Sequence, residues 1–268
     1  MAVVISSSLV ANRRVSGDNP NAPLLCFRSF VNALNTTAQD GVDTLFLENL
    51  ANPSTAFFAQ IQTTDEFYLE IEVPEGQGVD YVAIARHNLP FSGQIKVSFI
   101  VLEEEFEVTD WISVNTRQVV MARFQRGTPN QVRVYFRGQQ EFVNVGVLYA
   151  GECLQLERNI YVGHTPITMG RVNTRVGGFS DSGQYLGRVL RRRTYRTSVS
   201  MQNLSPDWYR QNLDPWIGDP DGNPAFFAWR PEKYPEEIAY AWIVGDPQPS
   251  NQRPNGMMQI DFELEGLA

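Results

Sequence analysis

The chain has 268 residues, 43% of them hydrophobic, and a formal net charge of −8 at pH 7. That length holds one large β domain or two smaller ones, and the apolar content is enough for a proper core. The acidic balance argues against nucleic-acid binding, which needs Lys and Arg to displace phosphate counterions.

No window approaches the ~18 consecutive apolar residues of a membrane span, so membrane insertion is not expected. The opening MAVVISSSLVANRR does not read as a secretory signal, because Arg13 and Arg14 follow the apolar run instead of preceding it. Among the 22 Lys and Arg, only Lys96 and Lys233 are lysines. A GC-rich genome produces that bias unaided. Either way, Arg makes planar, bidentate, stacking contacts where Lys stays hydrated. Cys26 and Cys153 allow one bridge but read as two free thiols of a reducing compartment. No Cys-x-x-Cys occurs, so neither a zinc ribbon nor a redox motif is expected, and no cofactor is called for.

Residues 1–41 are rich in Ser, Asn, Thr and Pro, with one apolar knot, LLCFRSFV, at 24–31. They read as an arm that packs at one point, against a neighbour. From Val42 the pattern becomes short alternating runs: TLFLENL (44–50), TAFFAQI (55–61), EFYLEIEV (66–73), DYVAIARHNL (80–89), QIKVSFIVL (94–102), VVMARF (119–124), QVRVYFRG (131–138) and FVNVGVLYAG (142–151). Period-2 alternation of β-branched and aromatic residues marks strands, and PEGQG, PFSG and GTPN supply the turns. Many short strands at near-regular spacing predict an antiparallel sandwich. In QVRVYFRG, Val132, Val134 and Phe136 make a dry face, and Arg133, Tyr135 and Arg137 a wet one.

The texture shifts near Leu156. Segment 170–204 reads as a strand, a Gly/Ser turn and a second strand. SPDWYRQNL (205–213) predicts a helix with Ser205 as N-cap and Pro206 at its first position, ending before Pro215. AFFAWRP (225–231), IAYAWIVG (238–245) and MMQIDFELEGL (257–267) complete the strands. The fold class is all-β. Its parts are an arm (1–41), a sandwich (42–157) and a second β-rich unit (158–268) with a helix near 205–213.

The candidate sites divide by chemistry. His87 ends a strand read as buried on both faces, and a polar exit of Arg86, His87 and Asn88 serves to satisfy backbone groups. A catalytic histidine needs a nucleophile in a matching context, and none is present. His164, in YVGHTPITMG, has no acidic or Cys partner at ligand spacing. GDPDGNP (218–224) spaces Asp219, Asp221 and Asn223 like a calcium loop, but Pro224 and Arg230 stand at the sixth and twelfth positions. A tight turn is the plainer reading. The acidic run EEEFE, with Glu103, Glu104 and Glu105, reads as a solvated edge before it reads as a paired-carboxylate site.

In GRVLRRRTYR, Arg188, Arg191, Arg192, Arg193 and Arg196 form either a solvated hairpin or a subunit contact. Trp229, Tyr240 and Trp242 belong to a dense aromatic segment, which is core, protein interface or sugar platform. The subunit-contact candidates are these five arginines together with Trp229, Tyr240 and Trp242. No catalytic, cofactor or metal residue is proposed.

Two stretches carry a resemblance. EFYLEIEVPEGQGVDYVAIARHNLPFSGQIKVSF with RVYFRG and FVNVGVLYAGECLQLE resembles galactose-binding-like jelly-roll sandwiches. VLRRRTYRTSVSMQNLSPDWYRQNL with AFFAWRPEKYP, AYAWIVGDPQPS and MMQIDFELEGL looks like the minor or distal tail proteins of long-tailed bacteriophages. The resemblance implies a non-enzymatic structural virion protein at the tail tip or baseplate. Such a protein is made in the host cytoplasm and assembles with itself and with other tail proteins. Those proteins usually place the tube-ring fold first, and here the sandwich comes first. The rival from another class is a carbohydrate-binding module that recognises a host surface glycan, and a third is a glycan-degrading enzyme.

Overall fold

The computed structural model describes residues 3–6, 9, 19, 21–62, 66–114, 119–138, 141–252 and 254–267. Arg13 and Arg14, and with them most of the opening segment, lie outside the described residues. Among the described residues the strands are, in chain order, β1 (Val3–Ile5), β2 (Leu24–Cys26), β3 (Thr36–Ala38), β4 (Asp43–Leu45), β5 (Ala59–Gln62), β6 (Phe67–Glu72) and β7 (Val79–His87). Next come β8 (Gln94–Val101), β9 (Glu104–Glu107), β10 (Ile112–Ser113), β11 (Val119–Gly127), β12 (Gln131–Arg137), β13 (Phe142–Gly151) and β14 (Leu154–Gln155). The C-terminal set is β15 (Arg171–Phe179), β16 (Tyr185–Leu204), β17 (Ala225–Ala228), β18 (Ile238–Val244), β19 (Ser250–Asn251) and β20 (Met258–Leu267).

They form three sheets. The middle sheet runs β1-β11-β7-β13-β5-β4. The outer sheet runs β10-β8-β12-β6-β3, with β9 also on β8. The C-terminal sheet runs β14-β2-β17-β18-β20-β16-β15, with β19 on β20. The protein is all-β: an antiparallel sandwich of jelly-roll type plus a second β-rich unit with a short helical segment.

Side-chain alternation explains the layering. In β12, Val132, Val134 and Phe136 are buried while Arg133, Tyr135 and Arg137 are half-exposed. The buried set joins Leu69, Ile71, Val97, Val82, Ile84 and Leu148 in the core between the outer and middle sheets. The middle sheet's other face is also dry. Tyr81, Ala83, Ala85, Met121 and Val147 pack on Phe226, Ala228, Ile238 and Tyr240 of the C-terminal sheet. β7 is therefore buried on both sides, as its near-continuous apolar run predicts. A third core lies under the C-terminal sheet, where Tyr209, Leu213 and Trp216 of the helical segment meet Val199, Met201, Ile260 and Phe262.

Tyrosine hydroxyls tie the layers at their polar ends. Tyr81 Oη donates to the Arg28 carbonyl at 2.7 Å, and Tyr240 Oη to that of Pro53 at 2.8 Å. Each ring buries a large apolar area while its one polar atom keeps a partner. Where β18 passes β20 the backbones touch so closely that a Cβ at Gly266 would stand 2.2 Å from the Tyr240 carbonyl.

Four expectations are corrected. Cys26 and Cys153 are not free thiols: they form a disulfide, with Cα atoms 4.5 Å apart. The bridge ties β2 to the residue just before β14. Residues 1–41, where they are described, are not a separate arm but part of the fold. Their described strands enter all three sheets, β1 beside β11, β2 beside β17 and β3 beside β6. TLFLENL is a strand only to Leu45; Phe46 turns left-handed (φ 58°) and a 3₁₀ turn covers Leu47–Ala51. The helix does not stop at Leu213. After a first α turn, Pro206–Trp208, the chain widens to a π turn over Tyr209–Leu213 and re-enters α geometry at Asp214–Ile217. Pro215 falls at the start of that last piece, immediately after the π turn has widened the backbone.

Candidate functional site

The wet face of the outer sheet gathers a constellation that no linear motif shows. Directly opposite residues on antiparallel strands share a face. Tyr135 thus stands between Tyr68 of β6 and Lys96 of β8, Arg133 faces Glu70, and Arg137 faces Gln94. Trp111 arrives immediately before β10, whose Ile112 pairs with Ile95. Three rings line up across the strands. Tyr68 and Tyr135 have centroids 5.2 Å apart, and Tyr135 and Trp111 6.5 Å.

Cations stand over these rings. Arg137 lies 4.0 Å from the Trp111 centroid, Lys96 4.6 Å from Tyr135, and Arg133 4.6 Å from Tyr68. Carboxylates hold two of the cations in place. Arg133 Nε donates to Glu70 at 2.6 Å, and Lys96 Nζ to Glu107 at 2.9 Å. Tyr135 Oη donates to Glu105 at 2.6 Å. Burial pushes the Glu105 carboxyl up, but the Tyr135 hydroxyl and the charges of Arg133 and Lys96 outweigh it and hold it below the usual range. The Tyr135 phenol moves the other way, pushed up to about 12 by burial and by its bond to Glu105. Arg137 donates to Gln94 at 2.5 Å and has no ion-pair partner among the described residues. The face offers aromatic surface, fixed donors and acceptors, and one cation with spare capacity.

The residues singled out from sequence fall elsewhere. His87 is buried opposite Val145, and neither ring nitrogen has a hydrogen-bond partner. Burial lowers its pKa from 6.5 to about 4. The backbone-satisfying role expected of the polar exit falls to Asn88, whose Nδ2 donates to the Phe142 carbonyl and whose Oδ1 accepts from Asn144 N. His164 packs against Trp229, centroids 5.0 Å apart, with Nδ1 3.1 Å from the Ser198 carbonyl. Asp219 closes its own turn, accepting from Asp221 N and from Asn223. Among the described residues no three His, Cys, Asp or Glu side chains converge to hold a metal.

Glu103, Glu104 and Glu105 lie on an exposed hairpin edge. The five arginines are exposed along β16. Arg192 and Arg196 pair with Glu265, and Arg193 donates to Asn173. A register shift leaves Arg191 without a cross-strand partner. Trp229 donates to Glu237 and stacks on Tyr234. Trp242 is half-buried opposite Glu265. Tyr240 is corrected as a subunit contact: it is buried inside this chain against Tyr149 and Phe226. Sequence reasoning missed Tyr68, Lys96 and Trp111; the wet face of β12 was the only signal that pointed toward them.

No protein-family model and no curated protein matches the chain. Among solved structures, a family 32 carbohydrate-binding module of Clostridium perfringens NanJ, in complex with galactose, is similar at 12% identity. The match covers 48% of this chain and 99% of that one, with a TM-score of 0.38. A chitosan-binding module from a Paenibacillus chitosanase/glucanase is 10% identical over 47% of this chain and 99% of its own, with a TM-score of 0.40. CpGH89CBM32-5 from C. perfringens, in complex with GalNAc-β-1,3-galactose, is 7% identical over 44% of this chain and 96% of its own, with a TM-score of 0.37. These structures are carbohydrate-binding modules and not virion proteins, and at such identities and scores the likeness carries no further argument.

Proposed function

We propose that the chain is a non-enzymatic carbohydrate-binding protein whose binding face is the Tyr68–Tyr135–Trp111 row. The supporting observation is the alternation, on one sheet face, of aromatic rings with charged groups held by their own neighbours. A pyranose presents an apolar C–H face and a rim of hydroxyls. Rings fit the first, and planar guanidinium and carboxylate groups the second. Arg137 beside Trp111 adds a cation for the carboxylate of an acidic sugar. Catalysis is not part of the reading. A glycosidase needs one carboxyl raised in pKa to donate a proton, and Glu105 is held ionised.

The test is a screen of neutral and acidic oligosaccharides, followed by calorimetric titration. Trp111→Ala should weaken binding at least about tenfold, near 1.4 kcal/mol, and Arg137→Met should weaken acidic sugars selectively. No binding to any glycan by the wild-type protein would end the proposal.

A second reading, as a structural subunit of a phage tail made in the host cytoplasm and carried in the virion, is favoured by one observation. The β15–β16 hairpin has both strands exposed along residues 171–193, with Thr174 through Gly178 and Arg188 through Arg193 open to solvent. Co-assembly with a tail-tube protein would test it.

A further inference from the structure

The distal half of this hairpin is unusual in what it exposes. Phe179, Leu186 and Val189 are 67%, 69% and 72% accessible, and Val176, Tyr185 and Leu190 lie exposed beside them. Single exposed apolar residues are ordinary, but a continuous set on one protruding element marks an interaction surface. Arg171, Arg175, Arg188 and Arg191 flank them and make no ion pair among the described residues. Asp181, at the turn, is the acid within the hairpin's distal half. β15 is also the last strand of its sheet, so one edge of its backbone is open.

A second open edge has the opposite charge. β9 pairs with β8 on one side, and its residues Glu104–Glu107 are all exposed. The turn before it adds Glu103 and an apolar tip, Leu102, 84% accessible; Phe106 within it is 50% accessible. Open edges with apolar side chains are templates for pairing with another strand. Edge charges normally discourage this, but here one edge is basic and the other acidic. The two edges belong to the two outer layers of the stack, with the middle sheet between them.

We infer that the 171–190 hairpin of one copy docks on the β9 edge of a second copy, with Arg171, Arg175 and Arg188 against Glu103 and Glu104 and with apolar side chains between. Charge complementarity within one sequence selects a second copy as the occupant. Because the two surfaces differ, the contact is head-to-tail, so assembly closes into a ring or extends as a filament. Glu103 and Glu104 make no contact within the aromatic row, but Glu105 and Glu107 of the same edge do, so R175E/R188E, on the C-terminal sheet, is the variant that separates this inference from sugar binding.

The experiment is light scattering of the full chain at micromolar concentration, in low and high salt. The expected mass in low salt is at least twice the 30.3 kDa of one chain, falling toward that value in high salt. R175E/R188E and E103R/E104R should each be monomeric with unchanged thermal melts, and mixing the two variants should restore a complex. A monomeric wild-type protein overturns the inference. So does an assembly that E103R/E104R leaves intact, or a mixture of variants that stays monomeric.

Discussion

His87 makes a quantitative prediction about acid. Its imidazole is protonated near 6.5 in the unfolded chain and only near 4 in the folded protein, because burial without a hydrogen-bond partner disfavours the cation. For a base whose folded pKa is depressed, stability is full above 6.5 and is lost as the pH falls toward 4. The unfolded chain takes up the proton first. Between about pH 7.5 and pH 5 the linkage relation gives a loss of about 2 kcal/mol from this one residue. His164 is also lowered by burial and acts in the same direction, so a substitution is needed to isolate His87. His87→Phe keeps a ring in the site and removes the titration. In urea unfolding, the stability of the variant relative to wild type should rise by about 2 kcal/mol from pH 7.5 to 5. A gap that stays constant across that range would refute a neutral, unpartnered His87.

Two other buried features give further predictions. Arg123 and Asp80 form an ion pair in which both side chains are nearly inaccessible, and Asp80 also accepts from Cys153 N at 2.8 Å. Asp80→Ala should cost about 3 to 5 kcal/mol in chemical denaturation, because it removes the buried counter-charge beside Arg123, whereas replacing both residues by apolar ones should cost much less. The Cys26–Cys153 bridge closes a loop with a sequence separation of 127. Replacing both cysteines by Ser should lower unfolding free energy by at most about 5 kcal/mol on loop-closure entropy, and adding reductant to the wild type should give the same shift.

Much of the fold is legible in the sequence because one physical rule, alternation, governs the long strands. Val132, Val134 and Phe136 announce a half-wet strand, and the apolar run from Tyr81 to Ala85 one covered on both sides. Three-residue strands are too short to show a period, so β1, β2 and β3 read as an arm. TAFFAQI looked like a strand throughout, but Phe57 and Phe58 are exposed in a loop and the ladder begins only at Ala59. The candidate site was half legible. Arg133, Tyr135 and Arg137 share one strand, while Tyr68, Lys96 and Trp111 join them through register, which local sequence does not encode. The disulfide lay beyond reach for the same reason: a separation of 127 residues says nothing about proximity.

The middle sheet has a consequence for how this protein can diverge. A strand with one wet face has alternate positions free to change, but β7 and the Val119–Phe124 part of β11 have almost none, since nearly every side chain there is buried. Innovation is therefore confined to the two outer skins of the stack and to the hairpin that leaves it. A lineage of such proteins would keep a nearly frozen central layer while its recognition surfaces drift independently on opposite sides. Partner choice on one skin could then change without disturbing the other.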